Sequence, residues 1–315
     1  MDPFFYSFIR TLSRTFNRAL GLYFSIAMKE LDKVAKQDMS RVDQRDWTAL
    51  TLGERIRQIE VDGYLVLPGV LTPEHIALLK EETARLETKA VDYSVHQQIR
   101  PQVQFAGGAI TELIAHPPTL SFLRDLFGEE IIFMSYAYAR SEPGHPGISL
   151  HTDGQPYGSR IFGFEGSCPY LVRVLYYLDD LTPEVSPFRV VPRSHLAMHA
   201  DANPYKRYAS HPEEVMVPVK AGSAVLINHR VFHGNFPNTG TRGREMLAIA
   251  YRPAWAGPVS DVTSWNPADL EALPESVRCF FADRNTRHWD FAGGNKPANM
   301  ARVAPGMNPS RWERR

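Results

Sequence analysis

Between residues 131 and 251 the chain is a succession of short runs rich in β-branched and aromatic residues, each cut off by Gly, Pro, Asn or Asp. The runs at 131–140, 171–178, 188–191, 215–219, 223–228, 231–233 and 245–251 read as strands. A short strand at 148–153 follows the Gly- and Pro-rich loop 141–147. Many short strands separated by turn chemistry point to a double-sheet jelly roll. The expected fold is therefore an all-β core with flanking helices, of the double-stranded β-helix, cupin-like kind.

Helical signals lie on either side of the strands. Asp62-Gly63 is a turn, and Tyr64-Leu65-Val66-Leu67 is a strand stopped by Pro68-Gly69. Thr72 caps a helix with Pro73 at its first position, predicted to run to about residue 89. Pro118 opens another, closed by Gly128. Residues 90–115 carry no decisive pattern. After Pro253 the chain is Pro-rich, with a helix from Asn266-Pro267 through 273 and a second over 275–281. The expected organisation is an N-terminal helical extension (1–59), the jelly roll (60–283) and an extended tail (284–315).

Charge and cysteine content narrow the function classes. Lys+Arg and Asp+Glu are equal at 35 each, which favours neither nucleic acid nor an anionic membrane as partner. The 2 cysteines, Cys168 and Cys279, form neither a ligand cluster nor a disulfide framework, so a reducing, cytoplasmic setting is the default. In the first thirty residues Phe5, Phe8, Leu12, Phe16, Leu20, Tyr23 and Ala27 share one helical face, and Arg10, Arg14 and Arg18 another. The preferred reading is a helix packed on the domain or on another subunit, which leaves a homo-oligomer open. A membrane-surface helix or an organelle transit peptide is the alternative.

His151-Thr152-Asp153 lies on the short strand, where alternate side chains leave the same face. An imidazole and a carboxylate pointing together are two thirds of a 2-His-1-carboxylate facial triad, the usual site of a non-haem Fe(II) oxygenase. The tripeptide alone is chance-level evidence. A second histidine must come from a distant strand, and His233 ends a β-like run before the turn Gly234-Asn235-Phe236-Pro237-Asn238-Thr239-Gly240. Beyond that turn Arg244 returns on the next strand, where it can bind a carboxylate bidentately. His229 and Arg242 have the same strand parity as His233 and Arg244, so both pairs stay open on parity alone.

The segments His151-Thr152-Asp153, Tyr177-Leu178-Asp179-Asp180-Leu181-Thr182, Phe188-Arg189-Val190-Val191-Pro192-Arg193-Ser194-His195 and His233-Gly234-Asn235-Phe236-Pro237-Asn238, with Arg244, resemble the phytanoyl-CoA dioxygenase (PhyH-like) family of Fe(II)/2-oxoglutarate oxygenases. Asp62-Gly63-Tyr64-Leu65-Val66-Leu67-Pro68-Gly69 is similar to its entry strand. The resemblance covers residues 60–283. It selects His233 over His229 and Arg244 over Arg242. It implies His151, Asp153 and His233 as Fe(II) ligands, with 2-oxoglutarate and O₂ in the open positions. Arg244 would hold the far carboxylate of 2-oxoglutarate, with Leu175, Asn235, Tyr136 and Gln104 around that co-substrate. The implied reaction releases succinate and CO₂ and hydroxylates a small organic substrate. Asp153 separates this from the family's halogenases, which lack the carboxylate. Where the family carries Asn-Gly this chain has Val185-Ser186-Pro187, and where it carries Gly this chain has Arg193. Both changes are expected to lie in loops away from the ligands.

Arg173 shares a strand face with Leu171, Leu175 and Tyr177 and is the lead for an anionic group of the substrate, the alternative being a structural ion pair. Tyr157, Arg160 and Trp255 flank the expected mouth as further substrate candidates. His75, His145, His195, His199 and His211 read as exposed or structural. Two competing readings remain: a metal-dependent cupin-type enzyme of another class, isomerase-like, and a catalytically silent binding module.

Overall fold

The computed structural model describes residues 41–151, 171–196, 210–254 and 265–282. The N-terminal amphipathic segment, the C-terminal tail and the substrate candidates Tyr157, Arg160 and Trp255 lie outside them, as does Asp153. In chain order the elements are α1 (Leu52–Arg57), β1 (Tyr64–Leu67), α2 (Pro73–Thr83), β2 (Lys89–Val91), β3 (Ser94–Pro101), α3 (Gly108–Glu112), α4 (Pro117–Phe127), β4 (Ile131–Ser141), β5 (Ile148–His151), β6 (Val172–Tyr177), β7 (Phe188–Val190), β8 (Val215–Val217), β9 (Ala224–Asn228), β10 (His233–Asn235), β11 (Arg244–Pro253), α5 (Pro267–Glu271) and α6 (Glu275–Arg278).

The strands form two antiparallel sheets, β1-β9-β6-β11-β4-β3-β2 and β5-β10-β7-β8. The jelly roll is thus present as expected. The outer face of the large sheet is covered by helices. Tyr136 and Tyr251 point that way and donate their hydroxyls to the carbonyls of Ile110 (3.0 Å) and Ile114 (2.8 Å), one in α3 and one just after it. Burying two phenols beneath helices is tolerable because each hydroxyl finds a backbone acceptor. The core between these layers is continuous, and it includes Trp47 and Ile59, which the sequence assigned to the N-terminal extension.

Local chemistry sets most helix starts. Thr51 and Glu54 form a reciprocal capping box at α1, and the Thr72 hydroxyl accepts from His75 N at α2. Helix α2 stops at Thr83, short of the predicted residue 89, because the chain from Lys89 pairs as the hairpin β2–β3 against β4. Hydrogen bonding along a sheet edge outweighs the weak helical preference of those residues. On the opposite flank, residues 41–47 bridge the two sheets. Asp43 N donates to Met216 O beside β8 (2.8 Å), while Tyr64 of β1 donates its hydroxyl to Asp43 (2.7 Å) and packs edge-on against Trp47. Among the described residues no helix is long and apolar enough to cross a membrane.

Candidate active site

His151 ends β5 and His233 opens β10, and the two are register partners in the small sheet. Their rings stand 4.4 Å apart between centroids at 45°. The expected strand 231–233 instead begins at His233. Upstream, Asn228 accepts from Val231 N through its carbonyl (3.0 Å) and from Arg230 N through its side chain (3.0 Å), so 228–231 is a turn. That turn resolves the parity ambiguity. His229 stays at the end of β9 beside the Leu171 carbonyl (3.2 Å), and His233 reaches β5. In both site histidines Nδ1 sits against the backbone carbonyl two residues earlier, Ser149 O for His151 (2.9 Å) and Val231 O for His233 (3.0 Å). With Nδ1 turned to a carbonyl, Nε2 is the nitrogen each ring would offer to a metal, the orientation that metal-bound histidines use. Gly234 makes this pairing possible. A Cβ there would lie 2.4 Å from the Ile148 carbonyl, so only glycine lets β10 approach β5 this closely.

Arg244 opens β11 opposite Ser141 of β4 and is fully buried. Its Nη2 donates to the Ser186 hydroxyl (3.2 Å), and its guanidinium lies over the Tyr177 ring (5.5 Å). Nε and Nη1 have no hydrogen-bond partner among the described residues. Arg242 instead points outward and donates to the Asp180 carbonyl (2.8 Å). Burial lowers the Arg244 pKa from its ordinary value, while Tyr177, Asp179 and Tyr93 oppose that shift. Burial also raises the Tyr177 phenol, against the pull of Arg244 and Asn235. A guanidinium buried with two unused donors is costly until an anion meets them. Its fork fits a carboxylate. Met246, Ala248 and Ala250 follow Arg244 on the same face of β11, and Tyr177, Leu175 and Arg173 stand opposite them on β6. Since Ser186 precedes β7 of the small sheet, this face looks across the sandwich toward the histidines.

The family model of phytanoyl-CoA dioxygenase (PhyH) matches residues 59–246, a span that begins before β1 and ends just past Arg244. The chain belongs to the PhyH family. Solved structures agree on the fold. HygX from Streptomyces hygroscopicus, with nickel and 2-oxoglutarate bound, is 21% identical over 69% of this chain and 93% of its own, with a TM-score of 0.55. The non-heme alpha ketoglutarate dependent epimerase SnoN from nogalamycin biosynthesis is 19% identical over 68% of this chain and 89% of its own, with a TM-score of 0.54. The carbocyclase SnoK of the same biosynthesis is 21% identical over 67% of this chain and 87% of its own, also at 0.54. A comparison with curated protein sequences found no significant match.

Other expected site residues of this PhyH protein fall on both sides of the sheet. Leu175 shares the inner face with Arg244, and Arg173 lies further along the same face, opposite Ala250. Asn235 is buried and donates from its side chain to the Ser186 carbonyl (3.2 Å). Gln104 is buried in the turn after β3, its Oε1 without a hydrogen-bond partner among the described residues. Tyr136 does not line the site. It pairs with Ile249, one position out of phase with Ala248, and its hydroxyl is spent on α3. One residue of parity on β4 carries its ring to the helix-covered face. A groove of about 560 Å³ on that side, lined by Glu82, Arg100, Gln102 and Phe105, is remote from the histidine pair.

The sequence expectation puts residues 185–187 in a loop away from the metal ligands; Ser186 lies instead against the proposed co-substrate arginine. Ser186, at φ 45°, is fully buried, accepts from Arg244 and contacts the Ser141 hydroxyl (3.1 Å). In this segment, where the family carries Asn-Gly, Ser186 takes a left-handed backbone and adds a hydroxyl to the arginine site. Arg193, the other departure from glycine, likewise takes φ 65°. The contact of Ser186 with Arg244 was not legible in the sequence, since the two residues meet only through the fold.

Proposed function

We propose that this protein is an Fe(II)- and 2-oxoglutarate-dependent dioxygenase that hydroxylates a small organic substrate. The observation carrying this reading is the pairing, within one sandwich, of two adjacent histidines whose Nδ1 atoms each face a backbone carbonyl and a buried arginine with two donors unmatched among the described residues. His151 and His233 fit a metal as a donor set, with Asp153 as the third ligand in this reading. An Fe(II) held by these residues would supply O₂ activation coupled to the oxidative decarboxylation of 2-oxoglutarate to succinate and CO₂. Arg244 binds the far carboxylate, Ser186 orients the guanidinium, and Leu175 and Tyr177 keep water from that contact. The Nδ1–carbonyl bonds fix the orientation of each ring. Arg173 meets an anionic group of the substrate from the same sheet face.

The anaerobic complex tests the reading. Fe(II) and 2-oxoglutarate added together should give a visible charge-transfer band, absent when either is left out. Bound iron with no such band favours a cupin-type enzyme of another class. No iron binding at all favours a silent binding module. The substrate then follows from succinate release across a metabolite library. Mass spectrometry of the product separates hydroxylation, a gain of one oxygen, from ring closure, a loss of two hydrogens, and from epimerisation, no change in mass. The last two are the activities named for SnoK and SnoN.

A further inference from the structure

One buried histidine beside Arg244 remains without a task. His145 lies on the loop between β4 and β5, is 1% exposed, and has no hydrogen-bond partner on either ring nitrogen among the described residues. The loop is held firmly. His145 N donates to Glu142 O (3.0 Å), Gly144 N to Asn238 O (2.9 Å) and Asn238 N to His145 O (2.9 Å). The Asn238 side chain also donates to Ser141 O (3.2 Å) and Arg242 O (3.0 Å). Asn238 sits in the turn that carries the chain from β10 into β11, so His145 is fastened to the base of the strand that begins with Arg244. Gln97 of β3 stands opposite Ser141, which stands opposite Arg244, and its buried Oε1 also has no hydrogen-bond partner among the described residues.

A native protein seldom leaves an imidazole, a carboxamide and a guanidinium unsatisfied in one place. Each orphaned group is unfavourable, and a single ligand with several oxygens relieves all of them at once. We propose that His145 is a second binding group for the far carboxylate of 2-oxoglutarate, and that it takes up a proton as that carboxylate enters. This rests on the 2-oxoglutarate reading given above.

The surroundings set the direction. In the free protein burial, then the charge of Arg244 and then His96, lower the imidazole to about 4, so it is neutral near pH 7. The groups around it are Tyr93 (ring centroids 6.2 Å apart), His96 against Gly144, Glu142 paired with Arg140, and Arg244. The carboxylate on this list, Glu142, is engaged by Arg140. A bound carboxylate supplies the missing negative charge and raises the imidazole. A group whose pKa rises on binding strengthens binding as pH falls toward the new value. If the imidazole returns to the ordinary value of about 6.5, affinity is about fourfold tighter at pH 6 than at pH 8, with about three quarters of a proton taken up at pH 6.

The test is calorimetric titration of 2-oxoglutarate into the Ni(II)-loaded full chain, at pH 6 and pH 8, in two buffers of different ionisation enthalpy. Wild type is compared with His145→Gln, which keeps a hydrogen-bonding group that does not titrate, and with His145→Phe. The expected result is proton uptake at pH 6 in wild type, none beyond background in His145→Gln, and binding in His145→Phe that is roughly tenfold weaker at pH 8, with a deficit about four times larger still at pH 6. Thermal melts of both variants show whether the loop has stayed folded. Equal proton uptake and equal pH dependence in wild type and His145→Gln overturn the inference while leaving the dioxygenase reading intact. Absence of 2-oxoglutarate binding in wild type overturns both.

Discussion

Arg244 and Ser186 show how one residue can be understood only with its partner. The guanidinium is buried with two donors unmatched among the described residues, and the serine that steadies it occupies a left-handed backbone position. Replacing Arg244 with Ala should weaken 2-oxoglutarate by roughly 100-fold, since a charge-assisted fork is lost from a desolvated site. An Arg244→Ala protein with unchanged affinity in the charge-transfer titration would sink the assignment. Ser186→Gly and Ser186→Ala both remove the hydroxyl, but only the first relieves the positive φ. Both should bind 2-oxoglutarate more weakly than wild type, and Ser186→Gly should be more stable than Ser186→Ala by about 1 kcal/mol in urea unfolding. Equal stability of the two would mean that no strain resides there.

At the scale of the element, the site depends on how closely β5 and β10 lie. The register between them slips between His233 and Asn235, and Gly234 fills the slip with no side chain. A methyl group at 234 would press on the backbone of Ile148, which cannot turn aside as a side chain can. Gly234→Ala should therefore separate the strands, lower stability by about 2 kcal/mol or more, and weaken Ni(II) binding together with the melting temperature. Unchanged metal affinity would show that the histidines do not rely on this approach. At the start of β11 a different device acts. Glu245, the neighbour of Arg244, accepts from Tyr138 (2.7 Å) and Thr83 (3.0 Å) and lies 3.9 Å from Lys80 of α2, while its amide donates to Asp179 (2.8 Å). The helix layer thereby anchors the outer face of the strand whose inner face presents the arginine.

Across the whole molecule, residues 41–47 join the free edges of the two sheets, and Trp47 is their buried anchor. Trp47→Ala should cost about 3 kcal/mol, read from the urea midpoint, and an unchanged midpoint would show this flank to be dispensable. Acid should unfold the protein early. His75, His116, His145, His195 and His211 are all held below the ordinary histidine value, chiefly by burial. For a histidine depressed in the folded state, the unfolded chain binds the proton first, so stability is present above about pH 6.5 and is lost as pH falls below it. The deeply buried His145 and His195 each contribute up to about 1.4 kcal/mol per pH unit in that window. The urea midpoint should thus fall steadily from pH 7 to pH 5. A flat profile would mean that these imidazoles are free to take protons in the folded protein.

The sequence by itself determined the jelly roll, most strand positions and the candidates His151, His233 and Arg244, because strand alternation, turn residues and capping act over a few neighbours. It also carried the motif order by which the PhyH family is recognised. It could not decide between faces of a sheet for Tyr136, nor between His229 and His233 by parity, since one residue of register or one turn reverses the outcome. The tertiary structure alone decided that Ser186, Tyr177 and His145 gather near Arg244. Those residues come from separate loops and strands, and the burial of Arg244 and His145 with polar atoms unmatched among the described residues exists only once the sheets have closed over them.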